Sequence, residues 1–300
     1  MRTIRRAEAG EHPATGDLDR ELAGLDALEL ADHPPRVERL ARLWAATWPK
    51  LAATALGLFL WQCVVWSGWK PEYILPGPVP VLRALWDGLS DGVLVRATAI
   101  TLQRAAVGFG VSIAIGVVVG ALVSRVHVLR VAVGSLITGL QIMPSIAWFP
   151  LAIALFRLSG AAILFVVVLG AAPAIANGLI SGSDHVPPIL LRAGRVLGAR
   201  RWTLYREVVL PASMPSFVAG LKQGWAFAWR SLMAGELLVV IADQPSIGFQ
   251  LQESRNLSAY TDMMAVMLLI LVIGIVVDAA VFGTLEGAIR RRWGLVDPAG

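Results

Sequence analysis

Charge is scarce in this chain, cysteine scarcer, and one dipeptide is missing altogether. Asp, Glu, Lys and Arg make up 16% of the 300 residues, against about 25% in ordinary globular proteins, which argues against a soluble protein. The single cysteine, Cys63, excludes an intrachain disulfide and says nothing about redox compartment. His12, His33, His127 and His185 are scattered, without the spacing of metal ligands. No Gly-Lys dipeptide occurs, so no Gly-x4-Gly-Lys-[Ser/Thr] loop can cradle nucleotide phosphates. The first 47 residues are polar, so no cleaved signal peptide is expected at the N-terminus.

What is present is apolar and clustered. Apolar residues are 56% of the chain, above the usual 45–50% or so. Uncharged intervals of 19, 20, 26 and 26 residues separate Lys50 from Lys70, Arg104 from Arg125, Arg130 from Arg157 and Arg157 from Asp184. About 20 apolar residues cross a bilayer core as a helix, so each interval holds one span. The expected architecture is an all-α membrane protein with six transmembrane helices, at 49–68, 99–123, 132–156, 161–180, 216–241 and 263–285. The fifth is the weakest by hydropathy, because Lys222, Arg230 and Glu236 interrupt it.

Arginines lie in short connections between these runs, with no basic patch interleaved with aromatics, so the net charge of +5 does not point to nucleic acid. With both termini cytoplasmic, the pieces 1–50, 124–130, 181–215 and 286–300 hold 18 Lys/Arg against 5 outside, as the positive-inside rule requires. Trp44 and Trp48 before the first span, and Trp66 and Trp69 at its end, fit interfacial anchoring. The expected divisions are a polar cytoplasmic extension (1–47), a transmembrane domain (48–285) containing a long loop (181–215), and a tail (286–300). Within the extension, Leu18, Leu22, Leu25 and Leu28 recur at helical spacing.

Outside the membrane, Leu75-Pro76-Gly77-Pro78-Val79-Pro80 leads into a short amphipathic helix at about 81–90. In the second span Gly108, Ser112, Gly116 and Gly120 form a small-residue stripe for close helix packing. Pro144 and Pro150 break the third span; the kinks either line a path or bend a packed helix.

The long loop reads as helix, glycine stop, helix, proline stop. Pro187 and Pro188 suit a first turn, Gly198 a left-handed helix end, and Pro211 the second stop. Ile189, Val196 and Leu197 make an apolar face, with Arg192 and Arg195 beside it. Such a face in solvent is expected to dock onto a partner.

This stretch resembles the EAA loop of ATP-binding-cassette (ABC) importer permeases: Glu-Ala-Ala, three residues, Gly, nine residues, Ile/Val-x-Leu-Pro. Ala193 and Gly198 hold their places, 199–207 supply the nine residues, and Val208-Val209-Leu210-Pro211 closes the pattern. Arg192 stands where the family often has Glu, and Gly194 where it has Ala, which removes any single salt bridge from that Glu. Leu75-Pro76-Gly77-Pro78, Thr101-Leu102-Gln103-Arg104, Met143 to Leu151, and Ala228-Trp229-Arg230-Ser231 with Glu236 resemble the branch handling sulfonates, taurine and nitrate. The likeness covers roughly 70–285.

The resemblance implies a type I ABC importer permease fold in the bacterial inner membrane. It also implies two permease copies, two ABC ATPase subunits holding ATP and Mg, and an extracytoplasmic solute-binding protein; this chain binds no cofactor and is not the enzyme. The coupling loop to the ATPase then comprises Leu190, Arg192, Ala193, Gly194, Leu197, Gly198, Ala199, Trp202 and Pro211.

Three charges on the fifth span would each cost about 2.5–3.5 kcal/mol at the centre of a lipid-facing helix. That helix therefore faces the bundle interior or a water-filled path, with Arg104 and Asp278 as candidate partners for its charges. Candidate path residues are Met143, Ser145, Trp148, Trp229, Arg230, Met233 and Glu236. Ser181, Ser183, Asp184 and His185 in a row do not amount to nucleophile–base geometry. A secondary transporter or channel, the main alternative, calls for inverted repeats or buried relays, which are not evident.

Overall fold

The computed structural model describes residues 36–241 and 244–292, and among them every regular element is helical. Two compact units are present, Met1–Ser67 and Gly68–Gly300. The first contains α1 (Arg36–Trp66), whose Thr47–Trp66 stretch is long and apolar enough to cross a membrane. The helix starts inside the segment expected to be a polar extension, and the leucine repeat at 18–28 lies outside the described residues.

The second unit opens with α2 (Pro78–Ser90), where Pro78 begins the helix and Val81 is fully buried. Then come α3 (Val93–Arg125), α4 (His127–Ile142), a 3₁₀ turn (Ser145–Trp148), α5 (Phe149–Phe156) and α6 (Gly160–Asp184). The loop holds α7 (Pro188–Val196) and the single turn α8 (Arg201–Leu204), followed by a π-helical turn (Tyr205–Val209) and α9 (Leu210–Leu238). The chain continues through α10 (Ile247–Asn256), α11 (Tyr260–Val277), a second π turn (Asp278–Gly283) and α12 (Thr284–Arg292).

Beside α1, the described helices long and apolar enough to span are α3, α6 and the continuous Tyr260–Ile289 rod. The expected third span is not one rod: α4 and the Ser145–Phe156 segment meet at 102°. The break falls at Met143–Pro144, both extended, where a residue before proline is disfavoured in the helical region and Pro144 has no N–H to continue the bonding of α4. Helix α9 has the length to cross at 29 residues, but Lys222, Arg230 and Glu236, with its Gln, Ser, Pro and Gly residues, leave it less apolar than those helices.

Helix α6 is the axis of the unit. The α3 stripe faces it: a Cβ on Gly108 would lie 2.9 Å from Val167 Cγ1, one on Gly116 2.8 Å from Ile175 Cβ, and one on Gly120 3.0 Å from the Ala176 carbonyl. On the other side α9 runs antiparallel and closer still, with a Cβ on Gly178 only 2.6 Å from Gly220 Cα. The stripe thus serves packing within the chain. Between these helices lies a core of Phe149, Ile163, Val166, Val167, Trp225, Leu232 and Phe282. Val107, Val111, Ile115, Val118 and Leu122 remain exposed on α3, an apolar face suited to lipid.

Replacing Gly178 with Ala forces two backbones apart and is expected to cost about 1–3 kcal/mol, the usual range for overpacking. Gly110 on α3 has nothing within 4 Å of its would-be Cβ, so Gly110→Ala is expected to be neutral or mildly stabilising. Thermal unfolding of the detergent-purified variants distinguishes the two; equal losses would refute the close-contact account.

Candidate functional site

Helix α7 ends as its glycine requires. Gly198 has φ +83°, its N–H donates to the Arg195 carbonyl at 3.0 Å, and the Ala199 N–H donates to the Gly194 carbonyl at 2.9 Å. These two bonds form a Schellman cap, which only a residue free of a Cβ adopts without strain. One side of the loop packs inward. Gly194 is buried, and a Cβ there would lie 2.7 Å from Leu204 Cδ1, so the space of the family's alanine is taken by a leucine. The other side is bare: Ile189, Val196 and Leu197 are 72%, 87% and 86% exposed. Leu190, Arg192, Ala193 and Arg195 are exposed with them, and Ala199 is half-buried.

The expected stop at Pro211 is not there. The chain passes from α8 through the π turn directly into α9, with Pro211 in the first turn of that helix. A proline is tolerated there, and the widened π turn just before it lies where the regular bonding pattern is interrupted. The loop is thus continuous with the charged helix. Arg125, at the end of α3, lies 4.5 Å from the Tyr205 ring centre and 5.4 Å from that of Trp202, so cation–π contacts tie the loop to α3. Arg130 and Asp184 pair at 2.8 Å beside it. Sequence reasoning used Arg125 and Arg130 only as topology markers.

The Ser-Ser-Asp-His row is accounted for locally. Ser183 donates to the Leu179 carbonyl, His185 Nδ1 contacts that of Ser181 at 2.8 Å, and Asp184 holds Arg130. No nucleophile–base pair forms among them.

The path candidates separate into distinct surroundings. Trp229 is buried and stacks on Trp225 at 5.9 Å, while Trp148 and Met233 pack against the main core. Glu236 is buried at the far end of α9 from the loop. Its carboxylate accepts from Arg104 Nη1 at 3.1 Å, Thr101 Oγ1 at 2.9 Å and the Gly248 N–H at 3.1 Å. Thr101 Oγ1 in turn accepts the Ile247 N–H at 3.0 Å, and Arg104 Nη2 donates to Gln244 Oε1 at 2.6 Å. A Cβ on Gly248 would collide with Glu236 Cβ. The network locks the start of α10 onto α3 and α9. Of the two candidate partners, Arg104 takes Glu236, whereas Asp278 takes Lys222 at 3.3 Å, with Glu286 at 3.6 Å.

Arg230 is placed differently. It is exposed, its Nε donates to the Ala226 carbonyl at 2.9 Å, and its guanidinium lies 4.8 Å from the Phe227 ring centre. No carboxylate pairs with it among the described residues. With Met143 and Ser145 it lines a cavity of about 330 Å³ at the α4 break, together with Gln141, Gly170 and Phe227. Gln141 and Phe227 were not singled out in the sequence, since an amide and a ring carry no signal without a cavity around them.

Arg104→Ala strands a buried carboxylate and is expected to cost about 3–5 kcal/mol, as for other broken buried pairs. Thr101→Val removes a hydroxyl partner and is expected to cost about 1–3 kcal/mol. Ranked unfolding midpoints, Arg104→Ala below Thr101→Val below the parent, check this; a parent-like Arg104→Ala would show that Glu236 does not depend on the pair.

Residues 112–293 match the family described as "Binding-protein-dependent transport system inner membrane component". A protein of Methanocaldococcus jannaschii named as an ABC transporter permease is 31% identical over 233 residues, covering 76% of this chain and 86% of its own. The nitrate import permease protein NrtB of Synechocystis is 25% identical, covering 75% and 83%. The riboflavin transport system permease protein RibX of Chloroflexus aurantiacus is 29% identical, covering 74% and 82%. A chain of the MetNI methionine ABC transporter, solved in inward-facing conformations, shares the fold with TM-score 0.55 at 21% identity, over 65% of this chain and 95% of that one. With its broken third span, its capped loop helix and the match over 112–293, the chain belongs to the binding-protein-dependent transport system inner membrane components, as a multi-pass ABC importer permease.

Proposed function

We propose that this chain, as two copies, moves a small anionic solute of the nitrate, sulfonate or taurine kind inward by alternating access. Two separate ABC ATPase subunits carry ATP and Mg and drive the cycle, and an extracytoplasmic solute-binding protein delivers the solute. Both termini face the cytoplasm, as the excess of Lys and Arg on that side favours. The observation that carries this reading is the bare apolar edge of α7. A rigidly capped helix leaving Val196 and Leu197 more than 80% exposed suits insertion into a groove on another protein. The nitrate permease among the relatives supports the solute class.

Closure of the ATPase pair would push on α7, and the push would pass along Trp202, Tyr205 and the π turn into α9. Leu197→Asp places a charge in the docking face without touching the fold, because the side chain is almost wholly exposed. A pull-down from mild detergent is expected to recover the ATPase with the parent, and about thirtyfold less with Leu197→Asp, as for loss of an anchor worth about 2 kcal/mol. Gly198→Pro, which cannot adopt the positive φ, is expected to uncouple ATP hydrolysis from transport while leaving membrane insertion intact. Normal solute-stimulated hydrolysis in both variants would rule out the loop as the docking element.

A further inference from the structure

We propose that the cavity at the α4 break is an oxyanion subsite, with Arg230 supplying the charge and the Phe227 ring the platform beneath the guanidinium. The inference rests on the importer reading for its purpose, but the binding chemistry is a property of this chain.

The donors are unspent. Arg230 commits only Nε, to its own helix, and its two Nη groups have no partner among the described residues. Gln141 Nε2 is buried and likewise without a hydrogen-bond partner among them. That atom presents no surface to the cavity, so the charge of Arg230 is the donor a bound anion meets. Arg230, Gln141 and Ser145 are all lining residues of the same cavity. No Asp or Glu lines it, which disfavours a cation. One feature opposes an anion: α4 ends at this rim and brings the negative end of its dipole, about half an elementary charge. Net attraction therefore depends on the full charge of Arg230.

Place and size agree with this chemistry. Gly170 lines the cavity near the middle of α6, which runs from Gly160 to Asp184. Broken helices near the mid-plane are where transporters expose unsatisfied polar groups to solute rather than lipid. At about 330 Å³ the volume is near the lower end for ligand sites, suited to a small oxyanion and not to a flavin. The planar fork of an arginine matches two oxygens of nitrate or of a sulfonate, and a lysine offers charge without that fork.

The test is equilibrium binding of nitrate and of methanesulfonate to the detergent-purified transporter by titration calorimetry, with riboflavin as the neutral probe. Arg230→Gln is expected to weaken both anions by about tenfold or more, in line with loss of a charged hydrogen bond. Arg230→Lys is expected to fall between parent and Arg230→Gln, and unfolding midpoints to stay at the parental value. Anion affinity unchanged in Arg230→Gln, no anion binding by the parent, or riboflavin bound by the parent as tightly as the anions would each overturn the subsite. Co-purification of the ATPase, scored in the same preparations, decides the importer reading separately. An ATPase-bearing transporter with Arg230-independent anion binding would sink the subsite alone.

Discussion

Close approach of α3 and α9 to α6 is the constraint on which the rest of this structure depends. Lipid tails are as apolar as leucine, so no hydrophobic drive brings membrane helices together, and contact must come from fit. Here fit is achieved by leaving side chains out: Gly108, Gly116 and Gly120 on α3, and Gly178 against Gly220 between α6 and α9. With α6 held on both sides, its C-terminal end fixes where the loop begins, and its middle, at Gly170, forms one wall of the cavity. The functional surfaces are placed by a scaffold whose tolerance is set by the absence of single methyl groups.

The same packing sorts the charges of α9. Three ionisable groups on one helix cannot all face hydrocarbon, and each has a separate resolution. Lys222 reaches Asp278 and Glu286 near the loop end, where all three are roughly half-exposed. Glu236 is enclosed, held by a guanidinium, a hydroxyl and a backbone N–H. Arg230 has neither burial nor a carboxylate. A bundle that neutralises two charges and leaves the third beside an open cavity has used its polar groups unequally, and that inequality sets Arg230 apart from Lys222 and Glu236.

How much of this was legible in the sequence follows from the range of each interaction. Gly198 was readable because a helix end is decided within a few residues by φ and two backbone bonds. The α3 stripe was readable because its period of four is local, although its partner on α6 was not. The break at Met143–Pro144 was visible as proline, but the 102° bend is a property of two packed segments. Pro211 misled because proline stops a helix it follows and begins one it leads, and only the π turn before it decides which. Glu236 and Arg104 lie 132 positions apart; sequence supplied the short roster of partners, and tertiary packing chose among them. Gln141 was beyond reach, since an unpaired amide is defined by what fails to surround it.

Continuity from loop to cavity changes how the proposed motion would travel. A stop at Pro211 would have made the loop a hinged flap, and its displacement could have been absorbed at the hinge. Instead the π turn joins α8 to α9, and the twenty positions from Leu210 to Arg230 span roughly 30 Å of helix at 1.5 Å per residue. Arg125 grips the loop from α3, so α3 and α9 are both coupled to whatever displaces α7. At the other end Glu236 and Arg104 tie the same two helices together through α10. In the proposed cycle a push on the loop would tilt α9 and α3, with α6 packed between them, as a joined frame against the α4–α5 kink, which no buried ion pair among the described residues holds. The cavity lies along that boundary between the frame and the kink. Rigid-body displacement there would change the distance between Arg230 and the end of α4 without breaking a helix, which is the geometry an anion subsite needs if it is to open and close with the loop.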